Sequence, residues 1–191
     1  MPSEASKIRH KIEKYLVGEV VDIGCGDDLV CPHAFGIDGR SFPHVQKQTS
    51  SLYDLDTQLP EMVGKFDCCF SSHVLEHLPD HFRAVLEWSK LLKKDGYFIL
   101  YLPDGNYYNN YENREHFHDT KYKEFMFWFR RTFCGEALNF TGHPYFLPYF
   151  EIIEDGPRSL NSICACVGLM TKRSPCSVMT RATRTVATGP R

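Results

Sequence analysis

Short apolar runs alternate with charged segments through the first half of the chain. Ile8, Ile12 and Leu16 recur every four residues, which predicts an amphipathic helix over residues 3–16. Runs of β-branched, aliphatic and aromatic residues then predict five buried strands, at residues 19–23, 34–38, 50–53, 66–71 and 97–102. Buried strands separated by polar segments favour an α/β fold with a mostly parallel sheet.

The segments between these strands are of unequal length. Only residues 27–34 separate the first two strands, whereas a crossover helix with its loops needs at least about 10–12 residues. We therefore expect trimmed helices after the first and second strands. Full helices are predicted over residues 81–94, capped by Asp80 and ending in Lys93 and Lys94, and over residues 121–133. Residues 150–154 and 162–170 predict a C-terminal antiparallel strand pair.

The first strand leads directly into a glycine turn, Val20-Val21-Asp22-Ile23-Gly24-Cys25-Gly26. Gly24 and Gly26 permit a tight turn and let a ligand approach the backbone without Cβ atoms in the way. The second strand ends in Asp38, and a carboxylate there can accept hydrogen bonds from both hydroxyls of a ribose. A glycine turn followed by an acid-tipped strand indicates a nucleoside cofactor.

Further motifs follow in a fixed order: Asp54-Leu55, then Phe66-Asp67 with Ser71-Ser72-His73-Val74-Leu75-Glu76-His77-Leu78, then Leu92-Lys93-Lys94-Asp95-Gly96-Tyr97. As an ordered set over residues 18–103, they resemble the class I S-adenosylmethionine-dependent methyltransferases, in particular the type 11-like family. Asp95 stands where a glycine is usual. The resemblance implies a Rossmann-like sheet and methyl transfer from S-adenosylmethionine.

The resemblance also implies which residues hold the cofactor. The turn Gly24, Cys25 and Gly26 would pass under its methionine and ribose, and Asp22 would orient the turn or reach the methionine amine through water. The remaining contacts fall at the strand tips, with Asp38 and Gly39 at the ribose, Asp54 and Leu55 at the adenine, and Ser71, Ser72 and His73 at the sulfonium. Asp54 is alternatively a residue that caps the stretch from Thr57. His77 is interpreted as structural.

Residues 104–149 predict a substrate-side insertion or lid, rich in aromatic and polar residues. Its His116-Phe117-His118-Asp119 resembles a tract in a subset of the family whose members look like modifiers of sugars or cell-surface glycans. We rank pocket-lining polar residues first for this tract and a catalytic base, from His116, His118 or His73, second. A metal site from the two histidines and Asp119 ranks third, and no metal is expected.

Composition limits the other function classes. The chain has 191 residues and a formal net charge of −2, so a nucleic-acid partner is not expected, and no apolar run approaches the ~20 residues of a membrane span. Lys7 and Arg9 interrupt any apolar leader, which favours a cytoplasmic protein. The 8 cysteines are interpreted as buried thiols. Residues 1–171 predict one domain, and residues 172–191 a disordered tail.

The function predicted is methyl transfer from S-adenosylmethionine to a small molecule or to a sugar or glycan precursor, with oxygen, nitrogen and carbon acceptors all open. One alternative is a non-catalytic S-adenosylmethionine-binding accessory protein. Another is a nicotinamide-dependent oxidoreductase. It is disfavoured because Asp27, Asp28 and Leu29 follow Gly26, so the third glycine of the dinucleotide motif is missing.

Overall fold

A computed structural model describes residues 3–107, 114–133, 150–160 and 163–172, the last two ranges by their backbone alone. Seven strands form one sheet in the order β3-β2-β1-β4-β5-β7-β6. The strands are β1 (Val20–Ile23), β2 (Phe35–Asp38), β3 (Val45–Gln48), β4 (Phe66–Ser72), β5 (Leu92–Pro103), β6 (Phe150–Leu160) and β7 (Ile163–Lys172). The α-helices are α1 (Glu4–Ile12), α2 (Leu55–Gln58), α3 (His81–Lys90) and α4 (Tyr122–Phe133).

The first five strands in the sheet order, β3 to β5, pair in parallel. The prediction of an α/β protein with a mostly parallel sheet is therefore confirmed. β7 pairs antiparallel with both β5 and β6. Parallel strands point their carboxyl ends to one edge, which brings the tips of β1, β2 and β4 together.

The two faces of the sheet are covered unequally. Trimmed helices are predicted after β1 and β2, and the shortening is complete: residues 24–34 and 39–44 form turns and contain no helix. One face of the sheet is covered by α1, whose Ile8 and Ile12 pack in a cluster with Val20, Phe70 and Tyr101. The opposite face carries α3 and α4, whose Trp88 and Phe129 are fully buried in the larger core cluster. The predicted helix over residues 121–133 is confirmed by α4.

The prediction of a third strand at residues 50–53 is wrong. The strand is β3 at Val45–Gln48, an edge strand whose last three residues are exposed, so it lacks the apolar run that marks a buried strand. Residues 50–54 instead form a loop held against α3. Trp88 Nε1 donates to the Leu52 carbonyl at 2.8 Å, and the Tyr53 hydroxyl accepts from the Asp80 backbone at 2.9 Å.

The helix predicted over residues 81–94 is shorter in the structure. It begins at His81 behind its Asp80 cap but stops at Lys90, and Lys93 and Lys94 belong to β5. Lys93 Nζ lies 2.7 Å from Asp67 Oδ2 on the neighbouring strand, so its charge is compensated within the sheet and not at a helix end. The expected turn at Asp95 is a register irregularity inside β5.

Several expectations concern residues only partly described. Residues 108–113 and 134–149 of the predicted lid lie outside the described residues, and so does the predicted tail over residues 172–191 apart from Lys172. Cys25, Cys31, Cys68 and Cys69 are free and buried, as predicted for thiols in apolar surroundings. Within the described part of the chain, no helix is both long and apolar enough to cross a bilayer.

Candidate functional site

A cavity of about 660 Å³ opens at the carboxyl edge of the sheet. Five segments line it: the glycine turn, the loop after β2, the segment before α2, the segment after β4, and residues 114–117. Its lining residues include Gly24, Asp38, Gly39, Arg40, Ser50, Ser51, Leu52, His73, His77, Arg114 and Phe117. We refer to this cavity as the crevice.

The glycine turn presents bare backbone to the crevice. Gly24 has φ +71°, and a Cβ atom on it would lie 2.2 Å from Val74 Cγ2, so no side chain fits there. Its amide donates to the Ile37 carbonyl at 2.7 Å, which joins the turn to the tip of β2. Gly26 has φ +58°, and a Cβ atom there would meet nothing within 4 Å. The two glycines are therefore needed for different reasons, one for space and conformation and the other for conformation alone.

Asp38 connects the two strand tips. Its carboxylate is almost fully buried, with Oδ2 accepting from the Gly26 amide at 2.9 Å and Oδ1 accepting from the Arg40 amide at 2.8 Å. An ionised carboxylate offers about four acceptor positions, so capacity remains for a ligand's hydroxyl groups. The acid predicted at the second strand tip thus lies in the crevice wall with its orientation fixed.

Asp22 lies behind the glycine turn and does not line the crevice. Its Oδ2 accepts from the Val30 amide at 2.7 Å, and burial raises its pKa to about 7. Arg9 of α1 holds the same loop from outside, donating from Nε to the Val30 carbonyl at 2.6 Å and pairing with Asp28 at 3.0 Å. Of the two roles expected for Asp22, this geometry supports orientation of the loop.

The serines after β4 differ from the histidine that follows them. Ser71 is buried, and its hydroxyl donates to the Ile23 carbonyl at 2.9 Å, so it ties β4 to β1. Ser72 Oγ is also buried and has no hydrogen-bond partner among the described residues. His73 lines the crevice with φ +53°, and its ring meets Tyr101 edge-on at 5.4 Å between centroids.

Asp54 and Leu55 are not brought to the crevice. Because β3 ends earlier than predicted, Asp54 stands at the start of α2 with φ +54°, and both its carboxylate oxygens accept from Arg83. Leu55 is fully buried in the larger core cluster. The motif assigned Asp54 and Leu55 to the crevice. The residues of this loop that line it are instead Ser50, Ser51 and Leu52.

His116 and His118, the two predicted histidines, lie in different surroundings. His116 lies beside His77, with ring centroids 4.5 Å apart, on the same side of the crevice as the buried Glu76. His118 points elsewhere: its Nε2 lies 3.0 Å from the Leu78 carbonyl, and its ring is tilted by 44° against that of His81 in a second cavity of about 550 Å³. Burial, followed by the neighbouring His118, lowers the pKa of His81 to about 4.

Sequence reasoning missed several crevice residues. Arg40 and Ser50 to Leu52 carried no motif, since their role depends on where β3 ends. Glu76 does not line the crevice itself but is buried next to His77, and its place in the quoted motif between Leu75 and His77-Leu78 was a signal for a buried carboxylate. His77, interpreted as structural, lines the crevice.

Comparisons with known proteins place this geometry in a family. The family model for the methyltransferase domain matches residues 1–143, so the chain belongs to that family. The resemblance to class I S-adenosylmethionine-dependent methyltransferases is thereby confirmed, and S-adenosylmethionine is the cofactor of this family. A search of curated protein sequences finds no significant match.

Solved structures share the fold at low sequence identity. A methyltransferase from Mesorhizobium loti is 13% identical with a TM-score of 0.62, covering 89% of this chain and 98% of that one. The 1,6-didemethyltoxoflavin-N1-methyltransferase of Burkholderia thailandensis, solved with S-adenosylhomocysteine, is 14% identical with a TM-score of 0.59, covering 89% and 77%. One from Archaeoglobus fulgidus is 15% identical with a TM-score of 0.56, covering 88% and 92%.

Proposed function

We propose that this chain binds S-adenosylmethionine in the crevice and methylates a small molecule or a sugar or glycan precursor. One observation carries the proposal: the bare turn Gly24 to Gly26 is bonded to the buried carboxylate of Asp38 at the rim of a cavity of about 660 Å³. That volume is in the usual range for small-molecule sites. When bound, the cofactor supplies a methyl group already activated by its sulfonium.

Each side of the crevice has a separate task in this proposal. Asp38 accepts from the ribose hydroxyls, and the turn at Gly24 leaves room for the methionine portion. The segment Ser50 to Leu52 contacts the adenine end in place of Asp54 and Leu55, because only the former lines the crevice. His73 faces the sulfonium side from the end of β4. Asp22 acts through the loop, since its carboxylate accepts from the Val30 amide behind the turn and does not line the crevice.

The acceptor would enter from the side formed by His77, Arg114 and Phe117. This wall is polar, with Glu115 beside Arg114 and one aromatic ring, which suits a hydroxylated acceptor held over a flat surface. Methyl transfer needs chiefly that the acceptor atom be held in line at about 3–3.5 Å. A hydroxyl acceptor also needs a base, and His116 or His73 is placed to serve, whereas His118 is directed away.

Calorimetry with S-adenosylhomocysteine tests the cofactor assignment, with NADH as the competing ligand. We expect stoichiometric binding of S-adenosylhomocysteine and none of NADH. Binding of NADH alone would favour the oxidoreductase. The matched pair Asp38→Ala and Asp27→Ala then locates the site, because both remove one charge from neighbouring turns and only Asp38 lines the crevice.

Turnover is tested separately with methyl-labelled S-adenosylmethionine and a panel of nucleotide sugars, glycans and small hydroxylated acids. We expect label in at least one acceptor class. Binding without turnover across the panel would instead favour a non-catalytic accessory protein. That alternative is supported by the absence of helices after β1 and β2 in the described segments 24–34 and 39–44.

A further inference from the structure

Glu76 is a buried carboxylate that the fold does not account for. It lies in the single 3₁₀ turn Leu75–His77 and is fully buried, yet neither of its carboxylate oxygens accepts a hydrogen bond from any described residue. The turn itself is closed by backbone bonds, from His77 to Val74 and from Leu78 to Leu75. Burying an unpartnered carboxylate costs several kcal/mol in general, so its presence calls for a ligand.

Two histidines converge on this carboxylate. His77 follows it in the chain, and His116 approaches from the segment after β5. One ligand atom from each of Glu76, His77 and His116 lies within 4.8 Å of the other two. His73 adds a further imidazole, with Nδ1 3.4 Å from Glu76 Oε1 but without the geometry of a hydrogen bond.

The backbone fixes the two histidine-bearing segments to each other. The Phe117 amide donates to the Glu76 carbonyl at 2.9 Å, and His77 Nδ1 lies 3.1 Å from the Glu115 carbonyl. A carbonyl can only accept, so this bond places the proton of His77 on Nδ1 and leaves the lone pair on Nε2. A neutral imidazole is the form that binds metals.

The geometry points to a divalent transition-metal site formed by Glu76, His77 and His116. Two imidazoles and one carboxylate are a donor set that zinc and its first-row neighbours accept. Metal–ligand bonds of about 2.0–2.2 Å place ligand atoms of one ion about 3–4 Å apart, so rotations of these side chains close the set. Three protein ligands leave a coordination position open.

The open position would face the crevice, because His77 lines it. Oxygen donors such as hydroxyl or carboxylate groups of an acceptor are the chemistry that would fill it. This last step rests on the proposed function, whereas the metal site itself does not. His73 would then lie beside the ion, either as a further ligand or as a group hydrogen-bonded to the Glu76 carboxylate.

The test is metal binding by the full chain, stripped with a chelator and free of S-adenosylhomocysteine. We expect calorimetry with Zn²⁺ to show one ion per chain. Glu76→Gln and His116→Ala should each weaken binding at least about tenfold, since even groups outside the ligand set typically cost 10–100-fold. His118→Ala is the matched control, because it lies two residues along the same segment and outside the group, and we expect it to bind as the native chain does.

Co²⁺ absorption distinguishes this site from the free cysteines. Histidine and carboxylate ligands give visible ligand-field bands without near-ultraviolet thiolate bands. Absence of one-to-one binding, thiolate bands, or equal loss in His118→Ala would each overturn the proposal. If Glu76→Gln does not fold, the Zn²⁺ affinity of His116→Ala provides the test of the site. S-Adenosylhomocysteine binding by the metal-free chain is measured separately, so failure of the metal site and failure of the proposed function give different results.

Discussion

The two sides of the crevice treat their buried acids in opposite ways. On the glycine-turn side, Asp22 accepts from Val30 and Asp38 accepts from Gly26 and Arg40, all backbone amides of the adjoining loops. On the histidine side, Glu76 is equally buried, and no described residue donates to its carboxylate. The first arrangement holds a loop in one shape before any ligand arrives. The second leaves both carboxylate oxygens without a hydrogen-bond donor among the described residues, and there we propose that a metal ion binds.

This difference separates two kinds of site in one crevice. The acids of the glycine turn contribute through preorganisation, because their bonds fix where the bare backbone and the Asp38 oxygens stand. Glu76 contributes little to the shape of its turn, which is closed by backbone bonds. Substitutions on the first side should therefore disturb both the fold and cofactor binding, whereas those on the second should act mainly on what binds there.

The largest effect is expected for Gly24→Ala. The left-handed φ of +71° costs a residue with a Cβ atom about 1–2 kcal/mol, and the overlap with Val74 adds about 1–3 kcal/mol. We expect a lower unfolding temperature and at least a tenfold loss of affinity for S-adenosylhomocysteine by calorimetry. Gly64→Ala is the control, with φ +67° and nothing within 4 Å of its Cβ position. It should show the strain alone and bind normally, and equal binding losses would refute the steric argument.

Asp38→Ala should come next. It removes the acceptor for the Gly26 and Arg40 amides, which costs about 1–3 kcal/mol in the free energy of unfolding. The ribose hydroxyls lose the same acceptor, so affinity for S-adenosylhomocysteine should fall about tenfold or more. Asp38→Asn, which keeps one oxygen, should lie between the native chain and alanine. Unchanged affinity in folded Asp38→Ala would remove Asp38 from the ribose contact.

Asp22 predicts a pH dependence of definite sign. Burial raises its folded-state pKa to about 7, against 3.8 for the ordinary group. Between about pH 4 and 7 the folded state then holds more protons than the unfolded state, so this carboxyl lowers stability as pH rises. Asn at this position keeps an oxygen for the Val30 amide and does not titrate. The stability of Asp22→Asn relative to the native chain should increase from pH 4 to 7, by at most about 1.4 kcal/mol per pH unit, and then level off.

Urea denaturation at a series of pH values measures that difference. Asp67→Asn is the control, because the pKa of Asp67 is shifted in the opposite direction. The hydrogen bond from Lys93 is the main cause that lowers this pKa. Its titration falls below the ordinary range, so its stability relative to the native chain should stay flat between pH 4.5 and 7. Parallel stability curves for the native chain and Asp22→Asn would show that Asp22 is not the group that titrates.

The sequence predicted the central strands and the glycine turn because both depend on local chemistry. Val20, Val21 and Ile23 are apolar and fully buried, Gly24 directly follows the tip of β1, and Asp38 is the last residue of β2. The prediction failed at β3, because an edge strand with exposed residues has no periodic apolar pattern. It also failed at Lys93, because a lysine after an apolar run is typical of the last turn of a helix, whereas here it pairs with Asp67 on the neighbouring strand. The grouping of Glu76 with His116 was out of reach, because it depends on how the segment after β5 folds back.

The misplaced third strand leads to the smallest effect, that of Asp54→Ala. Its carboxylate lies outside the crevice lining and is paired with Arg83 on the surface, where ion pairs contribute little. We expect affinity for S-adenosylhomocysteine to stay within about twofold of the native value, with little change in unfolding temperature. Arg83→Ala should behave the same way, because it opens the same pair. A tenfold loss of affinity in Asp54→Ala, without a similar loss in Arg83→Ala, would show that Asp54 contacts the adenine after all. The loop at residues 50–54 would then have to shift when the ligand binds and release Asp54 from Arg83.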